Sequence, residues 1–396
     1  VSTFSIQGLV VQVYEPTITL TTGTPNVVVI APRGVHVATL SEQVEQYSHV
    51  IAALGGFFSC DFSFTDTPAH AEEWIERGLG RHVEVLNAEG GIVWEGFVDE
   101  VEAGFGSLNV TRGPLSDIGN RARLEYSTVD TSTSPPTMGI RASTDWAENT
   151  ASERQYGIWP RVLSSGGVTE SLTDQLRDAY LAEHALPETT QRVSLGSESN
   201  LTPISLSCKG YVARLNYAYE QTALTGEGDL SAKLASILAD EPNGLLGATS
   251  IAANTLQVPV WEDEDRLAWD VIKSLTAKGD ASLQRYLFGM YEERRAVYAA
   301  APTTVEYFQT ISDPRQMIMT PDYAVVRPWD VRPGKWLLFT DLLVGRMPEE
   351  TQRANPRTMF IEGVTFTAPY SLTLEGGKVA TIAQRLAQLG LSGIGA

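Results

Sequence analysis

Residues 83–104 read VEVLNAEGGIVWEGFVDEVEAG, and a hydrophobic period of two decides what they form. Val83 and Val85 point one way along the first arm, while Ile92, Trp94 and Val98 share a face of the second. The turn between the arms carries Asn87, Gly90 and Gly91, residues that tolerate positive φ. Gly96 lies on the face of Trp94 and leaves a gap for a close neighbour, either a large side chain or another backbone. The pattern predicts an antiparallel hairpin packed into a barrel or sandwich, and it contains no reactive centre.

The same signal recurs along the chain. FSIQGLVVQVYE, NVVVIA and FFSCDFSF read as strands. Between Leu40 and Leu54 the period changes: Leu40, Val44, Tyr47, Ile51 and Leu54 fall at helical spacing, which predicts a helix carrying His49 and ended by Gly55 and Gly56. Asp66-Thr67-Pro68 opens a short helix through AHAEEWIERG, with Pro68 suited to the first turn and Gly78 to the stop. LSDIGNRARLEYSTVD predicts a helical turn and then a strand. TSTSPPTMG, residues 131–139, is the best internal boundary. Helices are predicted in TDWAENTASERQYGI and in TESLTDQLRDAYLAEHAL, where Leu172, Leu176, Tyr180 and Leu181 share one side and Pro187 closes the run. Two more are predicted in GDLSAKLASILAD and in WEDEDRLAWDVIKSLTAKGD, whose acidic residues load the first turn. RVSLG and PISLSCKGYVARLNYAYEQ read as strands, and β patterning returns from Arg285 onward. KVATIAQRLAQLGL closes the sequence as a short amphipathic helix or a tail. The expected fold is α+β and multidomain, with antiparallel β-barrel or sandwich units and intervening helices. The divisions fall at 1–130 (β-rich with two helices), 131–225 (β/α), 226–300 (a helical α+β insertion) and 301–396 (a β-rich return).

Charge and motifs narrow the function. The 396 residues carry 48 acidic against 29 basic side chains, a net charge of -19, so most of the surface repels nucleic acid. That balance serves solubility, or a surface to which nucleic acid must not stick. Cys60 and Cys208 each sit in an apolar strand-like run and read as buried free thiols, with one disulfide between them as the alternative; with no CxxC pair there is no thiolate zinc site. His36, His49, His70, His82 and His184 form no HExxH and no two are spaced as metal ligands. Glu262, Asp263, Glu264 and Asp265 are consecutive, unlike the alternating ligands of a calcium loop, and read as complements to a helix dipole. There is no GxSxG and no Walker motif. Arg294 and Arg295, like Arg121 and Arg123, are flanked by acids and read as solvated strand faces or intersubunit ion pairs. No catalytic, cofactor-binding or metal-binding residue is assigned, and no cofactor. No apolar run reaches the ~18 residues that suggest a membrane span. The opening VSTFSIQGLVVQVYE lacks a basic region and a cleavage signal, so synthesis in the cytoplasm is expected.

The order of the segments carries more than any one of them. GRHVEVLNAEGGIVWEGFVDEVEA precedes LSDIGNRARLEYSTVDTSTSPP, and ASERQYGI and TDQLRDAYLAEHALP follow. Then come LSCKGYVARLNYAYE, LAWDVIKSLTAKGDASLQRYLFGMYEERRAVYAAAP and WDVRPGKWLLFTDLLVG. This series, roughly residues 60 to 345, resembles the tail-hub (baseplate hub) proteins of tailed bacteriophages. The resemblance puts Trp94 and Gly96 in a β-domain of tail-tube type. It reads Gly279, Asp280, Tyr286, Phe288 and Arg294 as a helix-to-strand passage, and Val331 to Trp336 as the return into a barrel. It implies a structural virion protein at the distal end of the tail: a homotrimer whose chains each supply two tube-like β-domains. Its partners would be the tail tube or distal tail protein and a fibre or spike, with genomic DNA passing through unbound. Many members carry a lytic C-terminal extension; this sequence reaches Ala396 without one, so no lytic activity is carried over. Trp94, Gly96, Trp269, Trp329, Trp336, Arg294 and Arg295 are the structural and interface candidates. The alternatives are a distal tail ring or other baseplate protein, a cell-wall glycan hydrolase, and a carbohydrate-binding module.

Overall fold

The computed structural model describes residues 8–40, 43–130, 134, 137–168, 170–193, 201–217, 228–258, 267–310, 312–340 and 358–376. The chain opens with β1 (Leu9–Thr21), β2 (Val27–Thr39), β3 (Val44–Ala52) and β4 (Gly55–Asp66), then α1 (Pro68–Arg77). Next come β5 (His82–Asn87), β6 (Ile92–Phe105), β7 (Leu108–Arg112), β8 (Arg121–Asp130), β9 (Thr137–Ser143) and β10 (Ala147–Glu148). Then follow α2 (Thr150–Tyr156), β11 (Pro160–Gly166), α3 (Glu170–His184), β12 (Thr189–Val193) and β13 (Thr202–Lys209). β14 (Gly228–Asp229), α4 (Leu230–Ala239), β15 (Thr249–Ile251), β16 (Gln257–Val258) and α5 (Ala268–Lys278) make the helical section. The last third holds β17 (Tyr286–Tyr291), β18 (Arg295–Ala300), β19 (Val305–Gln309), β20 (Ile318–Met319), β21 (Val325–Val326), β22 (Trp336–Phe339), β23 (Thr358–Thr367) and β24 (Ser371–Gly376).

The fold is α+β. Its spine is an antiparallel run in the order β2-β1-β5-β6-β13-β4-β3-β23-β24. Branches leave it at three places. β7 pairs with the second half of β6, and β12 pairs in turn with β7. The β17–β18 hairpin joins the start of β4 in parallel. β22 pairs with the first half of β23 and leads to β19, β20 and β21. A separate small sheet groups β8 with β9, β10 and β11.

The expected closed barrel is not formed: among the described residues nothing pairs the two ends of the run, so the sheet is open. The reason lies in β6 and β23, each of which gives its two halves to different partners, so the ladder branches instead of curling onto itself. One large apolar core runs from Leu9 to Phe366 beneath the spine, and Tyr307, Ile318, Val331, Leu337, Ile361 and Val364 form a smaller one.

Several local expectations hold. Pro68 opens α1, Thr67 caps it by accepting from the His70 amide, and Gly78 ends it. The expected hairpin of β5 and β6 forms, and its register sets Val85 opposite Trp94. Cys60 and Cys208 are buried and unbonded.

Others do not. Residues 44–52 are strand β3, not helix. A bulge between Val44 and Gln46 sets Val44 and Tyr47 on one face three residues apart, and Tyr47, His49 and Ile51 then alternate inward; together they imitate a helical spacing. Gly55 and Gly56 begin β4 with positive φ, and a Cβ on Gly56 would fall 2.2 Å from the Met290 carbonyl. β13 stops at Lys209, and Tyr211–Leu215 turns as a 3-10 helix instead of continuing the strand. The chain is pressed there against β4: a Cβ on Gly210 would lie 1.8 Å from the Phe57 oxygen. α5 starts at Ala268, so the acidic run 262–265 does not fill its first turn and lies outside the described residues, as does the C-terminal stretch from 377. Of the boundary segment 131–139, most also lies outside them, between the paired strands β8 and β9. On α3 only Leu181 of the expected apolar side is buried, while Leu172 and Leu176 are exposed.

Candidate functional site

Alternation along four neighbouring strands builds a polar sheet face. On β4, Cys60, Phe62 and Phe64 turn into the core, which sends Asp61 and Ser63 outward. On β13, Ile204, Leu206 and Cys208 are buried, and Ser205 and Ser207 face away. β6 skips Asp99 in its pairing with β13; this bulge resets the phase so that Val101 and Ala103 are buried beside outward Glu100 and Glu102. Asp99 itself is buried, accepting from the Ser116 amide at 2.6 Å and facing the Lys209 ammonium at 3.0 Å.

Register converts these positions into rows. Ser48, Asp61, Ser207 and Glu100 lie side by side across β3, β4, β13 and β6, and Gln46, Ser63, Ser205 and Glu102 form the adjacent row. With Glu45 they border a shallow groove of about 310 Å³ whose lining holds four carboxylates and no lysine or arginine. Ser207 donates to Asp61 at 2.8 Å, and Thr65 donates to Glu45 at 3.2 Å. Partial burial, with Asp99 and Glu102 nearby, raises the pKa of Glu100. The face is hydroxyl-rich and negative. Its one serine–carboxylate contact has no histidine beside it: His49 is on the buried side of β3, bonded to the Tyr47 hydroxyl at 2.7 Å. Such a surface holds water and repels phosphate.

A second cluster lies on the same side of the β5–β6 hairpin, under cover. His82 Nε2 meets Glu84 at 2.8 Å, its Nδ1 meets the Tyr211 hydroxyl at 2.8 Å, and Glu95 stands opposite Glu84 in the ladder. All three are buried, and their ligand atoms lie within 4.8 Å of one another, near enough to hold a divalent cation. Two guanidinium groups already answer the carboxylates: Arg33 pairs with Glu84, and Arg294 with Glu95 at 3.1 Å. Burial pushes the Glu84 carboxyl up, but hydrogen bonds from His82 and Arg33 outweigh it and leave its pKa lowered. Burial dominates at Glu95, whose pKa is raised. The cluster is a compensated ion network that ties the β17–β18 turn to the hairpin, since Glu95 also accepts the Arg294 amide at 3.3 Å.

The sequence-predicted residues are spread over the fold. Trp94 is fully buried on β6. Gly96 beside it has its gap filled twice, because a Cβ there would fall 2.3 Å from both the Lys209 carbonyl and the Trp94 ring. Trp269, on α5, faces Phe288 at 6.0 Å; Trp329 sits edge-on to Phe366 at 5.8 Å; Trp336 meets Phe360 at 5.3 Å and donates to the Pro302 carbonyl. No ring contact joins any two of these tryptophans among the described residues. Arg294 and Arg295 find partners within the chain, Glu95 at 3.1 Å and Glu292 at 2.8 Å respectively, as does Arg121 with Glu148 and Glu153. The sequence reading missed both the hydroxyl–carboxylate rows and the His82–Glu84–Glu95 cluster. The sequence held no local signal for the cluster: Glu84 meets Glu95 only beyond the register shift between Val85 and Leu86.

No family model matches this chain, and no curated protein matches it. Among solved structures it is similar to the 43 kDa tail protein of prophage MuSo2 from Shewanella oneidensis, at 9% identity and a TM-score of 0.41 over 96% of this chain and 98% of that one. It is also similar to a tail protein from Neisseria meningitidis MC58, at 10% identity and a TM-score of 0.40 over 91% of this chain and 92% of that one. At those values neither likeness fixes the fold or the role.

Proposed function

We propose that this chain is a structural protein of a bacteriophage tail, the hub at the distal end of the tail tube. In this reading it assembles as a homotrimer that adapts the tube above to a fibre or spike below, and genomic DNA leaves through its centre without being bound. The tube-like units then fall within residues 1–130 and 131–225, with 226–300 inserted and 301–396 returning to them. The order of segments in the sequence supports the family. The observation that carries the role is the pair of rows across β3, β4, β13 and β6. Carboxylates and serines without a cation suit a wall that a polyanion must slide past, because phosphate contacts depend on lysine and arginine.

Imaging of the purified chain tests the assembly. A three-copy ring with an open centre lined by Asp61, Glu100 and Glu102 is the expected result. A six-copy ring points instead to a distal tail ring, and a monomer that clears cell-wall glycan in a zymogram replaces the reading with a hydrolase.

A further inference from the structure

β4 and β13 run antiparallel with Cys60 directly opposite Cys208. Opposed residues in such a ladder have Cα atoms about 4.5 or about 5.5 Å apart, according to how the pair is hydrogen-bonded. A disulfide needs a Cα separation of about 4.4–6.8 Å, so either spacing admits one. Both side chains are fully buried on one face, the reverse of the face that carries Asp61 and Ser207, and both thiols are free. Tyr47 of β3 reaches the pair: its hydroxyl meets His49 Nδ1 at 2.7 Å and hydrogen-bonds to Cys60. Burial, with Asp61 nearby, holds both thiols well above their ordinary pKa. At Cys60 the Tyr47 hydrogen bond offsets part of that, whereas at Cys208 the neighbouring Cys60 and Asp99 add to it. The two thiols are therefore unequal, and Cys60 forms its thiolate the more readily.

We infer that Cys60 and Cys208 close into a disulfide across the β4–β13 ladder when a peroxide reaches them, with Cys60 as the attacking thiol and Tyr47 as the residue that positions it. The Cys60 thiolate takes an oxygen from hydrogen peroxide and becomes a sulfenic acid, and the proton it gave up leaves in a molecule of water. The Cys208 sulfur then attacks the Cys60 sulfur; the S–S bond forms, and the oxygen departs as a second water with the Cys208 proton. Two thiols are oxidised and one peroxide is reduced. Packing keeps a bulky reagent out, but peroxide is close to water in size and needs only a small opening of the sheet. The product ties strands from distant parts of the chain together behind the carboxylate rows. It stays open in a reducing compartment and closes in an oxidising one.

The test exposes the native full chain to hydrogen peroxide, removes the peroxide, and unfolds the chain in an alkylating reagent for intact-mass analysis. The expected product is a single chain lighter by two hydrogen atoms, which takes up no alkyl group until a reductant restores both thiols. Two alkylated cysteines, oxygen retained on both sulfurs, or a link only between chains overturns the inference. Cys208→Ser should gather oxygen on Cys60, and Cys60→Ser should keep an alkylatable Cys208; the reverse pattern overturns the order of attack. Tyr47→Phe should slow closure. A change that only loosened the core would admit peroxide and speed it, so closure at an unchanged or faster rate overturns the part given to Tyr47.

Discussion

Trp94 and Gly96 form one packing unit: the indole lies across the space a side chain at 96 would need. Gly96→Ala forces the ring or the Lys209 carbonyl to move and should cost about 1–3 kcal/mol. Trp94→Ala removes the largest fully buried side chain among the described residues and should cost about 3–5 kcal/mol. Denaturant titration measures both, and a shift near zero for either would show that the two do not pack as described. His49 gives a pH dependence. Burial, aided by Arg332, lowers its pKa to about 3, so it is neutral in the folded chain. A depressed folded value means its contribution is fully present above the unfolded pKa of about 6.5 and is lost as pH falls toward 3. The melting temperature of His49→Asn should therefore fall less than that of the wild type between neutral and mildly acidic pH; parallel curves would rule the effect out. The gap at Gly96 was legible because a small residue next to a large one on the same strand face means something only if a neighbour fills it. Glu84 and Glu95 were not legible as partners, since they are eleven positions apart and meet only through hairpin register.

Among the elements, α1 was the easiest to read. Its start, stop and cap are local events, and Thr67→Ala should lower stability by about 1 kcal/mol in the same titration. β3 was the hardest, because a bulge near its start put apolar residues at a spacing that a helix also produces. β4 and β13 place Cys60 directly opposite Cys208, and burial holds both thiols well above their ordinary pKa. Neither should react with an aromatic disulfide reagent until the chain is unfolded. Fast labelling of the native protein would mean that this part of the sheet opens readily.

For the molecule as a whole, composition showed the sign of the surface but not its pattern. The acidic rows depend on the order of β6, β13, β4 and β3, strands brought together from distant parts of the chain, and that order is a tertiary outcome. The wild type should leave duplex DNA unretarded in a gel even at about 50 mM salt, while Asp61→Lys/Glu100→Lys/Glu102→Lys should retard it. If both behave alike, the rows do not govern contact with DNA. β6 has a mechanical consequence as well. Its centre lies between strands: β13 flanks Phe97 to Ala103 on one side, across from the point where β5 gives way to β7 on the other. Tension along its axis must shear two flanks at once and cannot unzip them bond by bond, so the middle of the sheet is its strongest seam under load.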